Sequence, residues 1–309
     1  MKKSFYSKIL LFGEYSVIKN SMALAMPYPL FEGKLVFPHS YVKNRSPDPE
    51  LKEFSQHLRK LTQKKLLPNS FDLDSFEFDI GQGLIFESTI PPGLGLGSSG
   101  ALCAAVFDRY CLKKQKDDNS LRRIFSAMES HFHGVSSGLD PMISYHARAI
   151  LIKKKEILNQ INIPLYDQGR GGIFLLNTGR QRRTEPLVNL FLEKSKDLKF
   201  NNNCQSILIP KTNRCIIHFL EKNLEYLLED FKHISSFQWQ HFRPMIPTLF
   251  QDIWQEGLHR HNYFLKLCGA GGGGFLMGIT RDIQKTSRFL GPCKIRPLFR
   301  FNFPNDHSG

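Results

Sequence analysis

Short β-rich runs interleaved with segments of helical period predict a mixed α and β protein from this 309-residue sequence. Three stretches carry that reading. "KILLF" (8–12) and "LIFESTI" (84–90) are compact runs of strand-forming residues. From Ser98 onward the period changes, and Leu102, Ala105, Val106 and Tyr110 fall at helical spacing. A chain of this length can bury a sizeable core, as one large domain or two of ordinary size.

The elements follow in order. "MKKSFYSKILLFGEYS" opens with two lysines, but its apolar stretch is short and ends at Gly13-Glu14 with no small-residue cleavage site. It reads as a first strand rather than a leader. Within the polar stretch 41–70, "SPDPELKEF" and "LTQKKLLPNS" read as a helix flanked by proline-bearing loops. After the helix from Ser98, a second begins near Asn119 or Ser120, either a suitable N-cap. It carries Leu121, Ile124, Phe125, Met128 and Phe132 on one face and ends at Gly134. "ARAILIKKK" (147–155) and "GGIFLLNT" (171–178) are strand-like. "NTGRQRRTEPLV" (177–188) reads as a polar, arginine-rich turn close to a domain change, which divides the chain into 1–184 and 185–309. Beyond it lie a long amphipathic segment around 216–234, a helix near 246–260, the glycine-rich "KLCGAGGGGFLMGI" (266–279) and a closing strand, "RPLFRFNF" (296–303). No internal repeat emerges.

Composition narrows the function classes. No apolar run approaches the roughly 20 residues that span a bilayer. The six cysteines are scattered with no C-x-x-C pair, which fits reduced thiols in a cytoplasmic protein rather than a zinc site or disulfide framework. Forty-two basic against 28 acidic residues give a formal charge of +14, suited to anionic partners. Nucleic acid, a membrane surface and phosphorylated small molecules all fit the charge, but no zinc finger, RNA-binding strand signature or heptad accompanies it, so nucleic acid is the minor reading.

The stretch "PPGLGLGSSGA" (91–101) joins a strand to a helix. N–H groups at a helix start are unsatisfied and carry the positive end of its dipole. Glycines before them let a phosphate approach, because no side chain intervenes. Gly93, Gly95 and Gly97 supply the lead-in, and Ser98 and Ser99 place hydroxyls at the helix start. The closing Gly-Lys-Ser/Thr of a Walker A loop is absent. Taken alone, a tight turn reads as well as a phosphate cradle.

The stretch has company. "PPGLGLGSSGA" resembles the second motif of the GHMP kinases, "KILLFGEYSVIKNSMALA" (8–25) their first, and "KLCGAGGGGFLMGI" their third, in the family's order. "ESHFHGVSSGLDPMIS" (129–144) and "LLNTGRQRRTEPLV" (175–188) resemble the corresponding segments of the mevalonate kinase branch. The resemblance implies a two-domain α+β fold, with a ribosomal-protein-like N-terminal domain and a ferredoxin-like C-terminal one. It also implies ATP- and Mg²⁺-dependent phosphorylation of the primary hydroxyl of mevalonate, an isoprenoid-precursor step. The implied partners are mevalonate and ATP, with no nucleic acid and no membrane; a homodimer is compatible with it.

Roles carry over residue by residue. Pro92, Gly93, Leu94, Gly95, Leu96, Gly97, Ser98, Ser99 and Gly100 match the loop that holds the ATP phosphates. Ser99 and Glu129 match the magnesium-binding serine and glutamate, the oxygen ligands a hard cation takes. Asp140 matches the catalytic aspartate, as general base or electrostatic aid, and Lys8 the lysine that pairs with it. Thr184, Glu14, Tyr15 and Gly271 fall at substrate-side positions, and Arg180, Arg182 and Arg183 form a cationic patch suited to carboxylate or phosphate. This chain departs from the family pattern at four places. Tyr15 stands for the usual histidine, Lys19-Asn20 for a common glycine turn, Gly100 for a usual alanine, and "YSKI" for Pro-Gly-Lys before the strand. Tyr15 and the cationic patch leave phosphomevalonate or a sugar open as the alternative acceptor.

Overall fold

The computed structural model describes residues 3–38, 47–113, 117–153, 156–181, 184–291, 293 and 295–304. Its strands are β1 (Phe5–Phe12), β2 (Ala23–Val36), β3 (Ile85–Ser88), β4 (Ala149–Lys153), β5 (Glu156–Ile161), β6 (Gly171–Asn177), β7 (Tyr263–Leu267), β8 (Phe275–Thr280) and β9 (Ile295–Phe301). Its helices in the first half are α1 (Pro49–Gln63), α2 (Leu73–Gly81), α3 (Ser98–Tyr110), α4 (Asp118–His133) and α5 (Leu139–His146). The second half adds α6 (Thr184–Lys194), α7 (Leu198–Asn203), α8 (Ile209–Leu220), α9 (Leu224–His241), α10 (Gln251–Arg260) and α11 (Ile283–Leu290). The mixed helix and sheet fold expected from the sequence is present.

The chain forms two compact units. The first contains residues 1–9, 26–92 and 96–149; the second contains 10–25, 93–95 and 150–309. Segments 10–25 and 150–184, which the sequence reading grouped with the N-terminal part, thus pack with the C-terminal residues. β2 is long enough to serve both units: Ala23–Ala25 pair antiparallel with β4, and Gly33–Val36 with β3.

In the first unit, α3 is enclosed on nearly every face. Ala101 through Phe107 and Tyr110 are all buried, a wider set than the single stripe read from periodicity. A helix apolar all round belongs in a core. Against it pack α5, α4 and α2, with Phe76 of α2 and Leu121, Phe125 and Met128 of α4 buried, while α1 buries Leu51, Phe54 and Leu58 and packs on α2 and α4. Phe107 meets Phe125 edge-on at 5.0 Å. Three of the N-caps, those of α1, α2 and α4, are acidic: Asp48 accepts from Leu51 N, Asp72 from Ser75 N, and Asp117 from Ser120 N. Asp117 therefore caps α4, rather than Asn119 or Ser120, because its carboxylate reaches the N–H three residues on and carries the charge a helix start favours.

In the second unit, an antiparallel sheet runs β7-β8-β6-β9. Gly172 to Asn177 pair with Thr280 to Phe275, and the β6–β9 register shifts between Ile173 and Phe174. The amphipathic stretch 216–234 is divided between α8 and α9, with the break at Glu221–Asn223, where Lys222 takes φ 62°. The arginine-rich turn ends earlier than its composition suggests, since α6 already starts at Thr184. Helix 246–260 shortens to α10, preceded by 3-10 turns at Arg243–Met245 and Thr248–Phe250. Among the described residues, no helix is long and apolar enough to cross a membrane. All six cysteines are free.

One contact in the first unit positions everything near Asp140. A Cβ on Gly100 would lie 2.8 Å from the Asp140 carbonyl carbon, 2.9 Å from its Cβ and 2.9 Å from Pro141 N. In an ordinary helix interior, Gly→Ala stabilises by ~1 kcal/mol. Here the clash is with backbone, and overpacking of this kind costs about 1–3 kcal/mol. Gly100→Ala is therefore expected to lower the urea midpoint at unchanged m-value. A raised midpoint would show that α3 and α5 can part without penalty.

Candidate active site

The start of α3 brings four of the expected residues together. Gly97 is its N-cap, in a left-handed conformation at φ 78°, which glycine alone adopts without strain. The loop before it is tied to β1 by Lys8 N donating to Leu96 O at 2.8 Å. A Cβ on Gly97 would press on the Lys8 side chain at 2.9 Å. The two glycines at the head of α3 therefore leave the space in which Lys8 and Asp140 lie. Lys8 Nζ is 2.9 Å from Asp140 Oδ2, and 31% of the aspartate side chain remains open, enough to meet a ligand. Asp140 sits in the first turn of α5, behind the N-cap Gly138.

Behind this pair lies a buried carboxylate. Glu129, on α4, is 3% exposed, against the usual solvated place of a glutamate. Ser99 donates its hydroxyl to Glu129 Oε1 at 3.2 Å, and Ser136 donates to Oε2. Burial above all, and then the negative charge of Asp140, push the Glu129 carboxyl up to about 7; Ser136, Lys8 and Ser99 act in the opposite direction. A carboxylate so placed lacks positive charge. The donor set of one buried carboxylate and one hydroxyl is hard and oxygen-only, which fits Mg²⁺, an ion that keeps several waters and takes its other oxygens from phosphates. Among the described residues no cluster of three or more His, Cys, Asp or Glu forms an all-protein cage.

The second unit holds the other expected residues. Glu14 is buried with its Oε1 2.5 Å from Lys266 Nζ, and Lys266 is itself fully enclosed. Burial raises the Glu14 carboxyl, and the Lys266 ammonium opposes that shift. Tyr15, at φ 62°, donates its hydroxyl to Ala270 O at 2.5 Å. Its ring packs 4.9 Å from Phe191 and 5.1 Å from Phe242. Both side chains thus brace the third glycine motif and the strand leading into it. Gly271 lies in that motif, which is bound to Met245 O through Gly272 N at 2.7 Å. Its far end, Gly274, donates to Arg180 O at 2.7 Å and accepts from both N and Oγ1 of Thr178. Gly93, Leu94 and Gly95 belong to this unit too, and Leu94 O approaches Gly274 closely enough to exclude a Cβ there. Thr184 opens α6, and Arg180 is exposed. Arg182 and Arg183 lie outside the described residues.

Lys8, Ser99, Glu129, Asp140 and the loop from Leu96 to Gly100 are assembled within the first unit, while Glu14, Tyr15, Gly271 and Thr184 belong to the second. Three participants were not singled out from sequence. His133 Nε2 lies 3.1 Å from Ser99 Oγ, and its spacing four residues after Glu129 puts both on one helix face. Ser136 carried no motif role, and Lys266 gave no sign of its partner 252 residues away.

Residues 56–148, which include the start of α3, Glu129 and Asp140, match the GHMP kinases N terminal domain. A mevalonate kinase of Dictyostelium discoideum is 23% identical across 89% of this chain and 86% of its own. The structure of L. major mevalonate kinase in complex with R-mevalonate superposes with TM-score 0.62 at 17% identity, over 96% of this chain and 94% of that one. Streptococcus pneumoniae phosphomevalonate kinase, in complex with phosphomevalonate and AMPPNP, superposes with TM-score 0.63 at 16% identity, over 97% and 98%. The two structural likenesses establish the fold. Residues 56–148 thus carry the GHMP kinases N terminal domain, and the chain as a whole is similar to mevalonate kinases and related GHMP kinases.

Proposed function

We propose that this protein transfers the terminal phosphoryl group of ATP to the primary hydroxyl of mevalonate. The observation that carries the reading is the assembly of the Lys8–Asp140 ion pair and the Ser99–Glu129 pair at the start of α3. Phosphoryl transfer needs little covalent help from protein. It needs a positioned donor, compensated charge and a hydroxyl aimed in line. The N–H groups at the head of α3, reached through the glycine loop, would hold the ATP phosphates. Ser99 and Glu129 would hold Mg²⁺, which when bound neutralises phosphate charge. Asp140, oriented by Lys8, would receive the acceptor proton or fix the hydroxyl electrostatically.

Mevalonate as acceptor is supported by the resemblance of 129–144 and 175–188 to the mevalonate kinase branch and by the Dictyostelium relative. Phosphomevalonate is the second reading, favoured by the likeness to the pneumococcal phosphomevalonate kinase. Tyr15, whose hydroxyl is occupied by Ala270 O, also leaves the acceptor side without the usual histidine. An acceptor screen with labelled ATP distinguishes them. Transfer to mevalonate in preference to phosphomevalonate and galactose is expected; preference for another acceptor would replace the substrate while leaving the family intact.

Two substitutions test the machinery. Asp140→Asn keeps shape and removes charge, so turnover should fall by about 10²–10⁴-fold with nucleotide binding retained. Near-normal turnover in the folded variant would remove Asp140 from the mechanism. Glu129→Gln should raise the Mg²⁺ concentration for half-maximal rate, since a charged oxygen ligand becomes neutral. An unchanged Mg²⁺ titration would leave Glu129 as a buried structural acid.

A further inference from the structure

The loop from Gly134 to Gly138 joins the helix that bears Glu129 to the helix that bears Asp140, and its central side chain has no assigned role. Ser136 Oγ donates to Glu129 Oε2. The same oxygen accepts from Gly138 N at 3.0 Å, at the N-cap of α5 and two residues before Asp140. One hydroxyl thus spans the two carboxyl-bearing helices.

Its own position is fixed from behind. Ser126 Oγ on α4 donates to Ser136 O at 2.6 Å, and Arg122 Nε, one turn earlier, donates to Ser137 O at 2.9 Å. The loop is therefore bolted to α4 at two successive carbonyls, and the Ser136 hydroxyl is presented at a set height beside Glu129. Ser99 approaches the other carboxylate oxygen. With Oε2 held by Ser136, Glu129 is oriented with Oε1 toward Ser99, and its separation from Asp140 is set by the Gly138 link. Glu129 feels the negative charge of Asp140, so that separation matters.

We propose that Ser136 is a positioning residue: it orients Glu129 for the divalent cation and couples that carboxylate to the helix start that carries Asp140. The inference rests on the reading of Ser99 and Glu129 as the cation site. Groups that orient a metal ligand from behind are typically worth ~10–100-fold in metal affinity or activity. Ser136→Ala should therefore raise the Mg²⁺ concentration for half-maximal rate by ~10–100-fold and lower kcat, while KM for the acceptor stays near the wild-type value. Ser136→Thr retains the hydroxyl and should recover most of both losses.

The test is a set of Mg²⁺, ATP and acceptor titrations on the wild type, Ser136→Ala, Ser136→Thr and Glu129→Gln, with thermal midpoints of each. A shift in Ser136→Ala confined to Mg²⁺ and kcat, with rescue by threonine, supports the proposal. If Glu129→Gln shifts the Mg²⁺ dependence and Ser136→Ala does not, the proposal falls and the cation site stands. If Glu129→Gln shifts nothing, the cation site falls and takes the proposal with it. Equal losses toward all ligands in both serine variants, together with lowered midpoints, would make Ser136 a loop-folding residue only and overturn the proposal.

Discussion

The close approach of α5 to the first turn of α3 is the constraint on which the site depends. No Cβ fits at Gly100 against the Asp140 backbone, and none fits at Gly97 against Lys8. Glycines in such a loop are commonly explained by the phosphate they admit. In this chain two of them serve an internal purpose first, since they let an ion pair sit directly under the helix start. Gly100, which departs from the alanine usual in the family, is explained by the same contact. The helix-propensity cost of glycine is small beside the backbone clash it avoids.

The second consequence is electrostatic. Packing α3, α4 and α5 this tightly buries Glu129 within reach of the charge of Asp140, and Lys8 together with two serine hydroxyls offsets part of the penalty. Desolvating a carboxylate is costly unless charge and hydrogen bonds answer it. A cluster left short of positive charge is suited to take up a cation. Glu14 is treated differently. Its burial is opposed by the fully enclosed Lys266, which donates a hydrogen bond to it, so that acid has a cation within the protein. Two buried acids thus have opposite prospects, set by whether a protein cation lies against them.

Much of this was legible in the sequence, for reasons that differ by residue. The helix from Ser98, the strand at 8–12 and the glycine loops were visible because period and punctuation are local signals. Lys8, Ser99, Glu129 and Asp140 were found by motif resemblance, and the structure brings them together in one unit. What escaped is mostly nonlocal. The Glu14–Lys266 pair joins residues 252 apart, and no local pattern announces it. The contacts of Tyr15, its hydroxyl on Ala270 O and its ring against two phenylalanines, are equally nonlocal. The interleaving of 10–25 and 93–95 with the second unit was invisible for the same reason. Local misreadings had local causes: a three-residue break divides 216–234, and an acid two residues upstream took the capping role from Asn119.

The central claim is that the buried acid and hydroxyl at the head of α3 form a divalent-cation site serving a nucleotide. Anomalous diffraction from crystals grown with Mn²⁺ and AMPPNP tests it most directly. The account predicts a single strong peak within coordination distance of Ser99 Oγ and a Glu129 carboxylate oxygen, with the AMPPNP phosphates at the start of α3. A nucleotide bound elsewhere, or Mn²⁺ away from both side chains with the Ser99–Glu129 hydrogen bond intact, would contradict it.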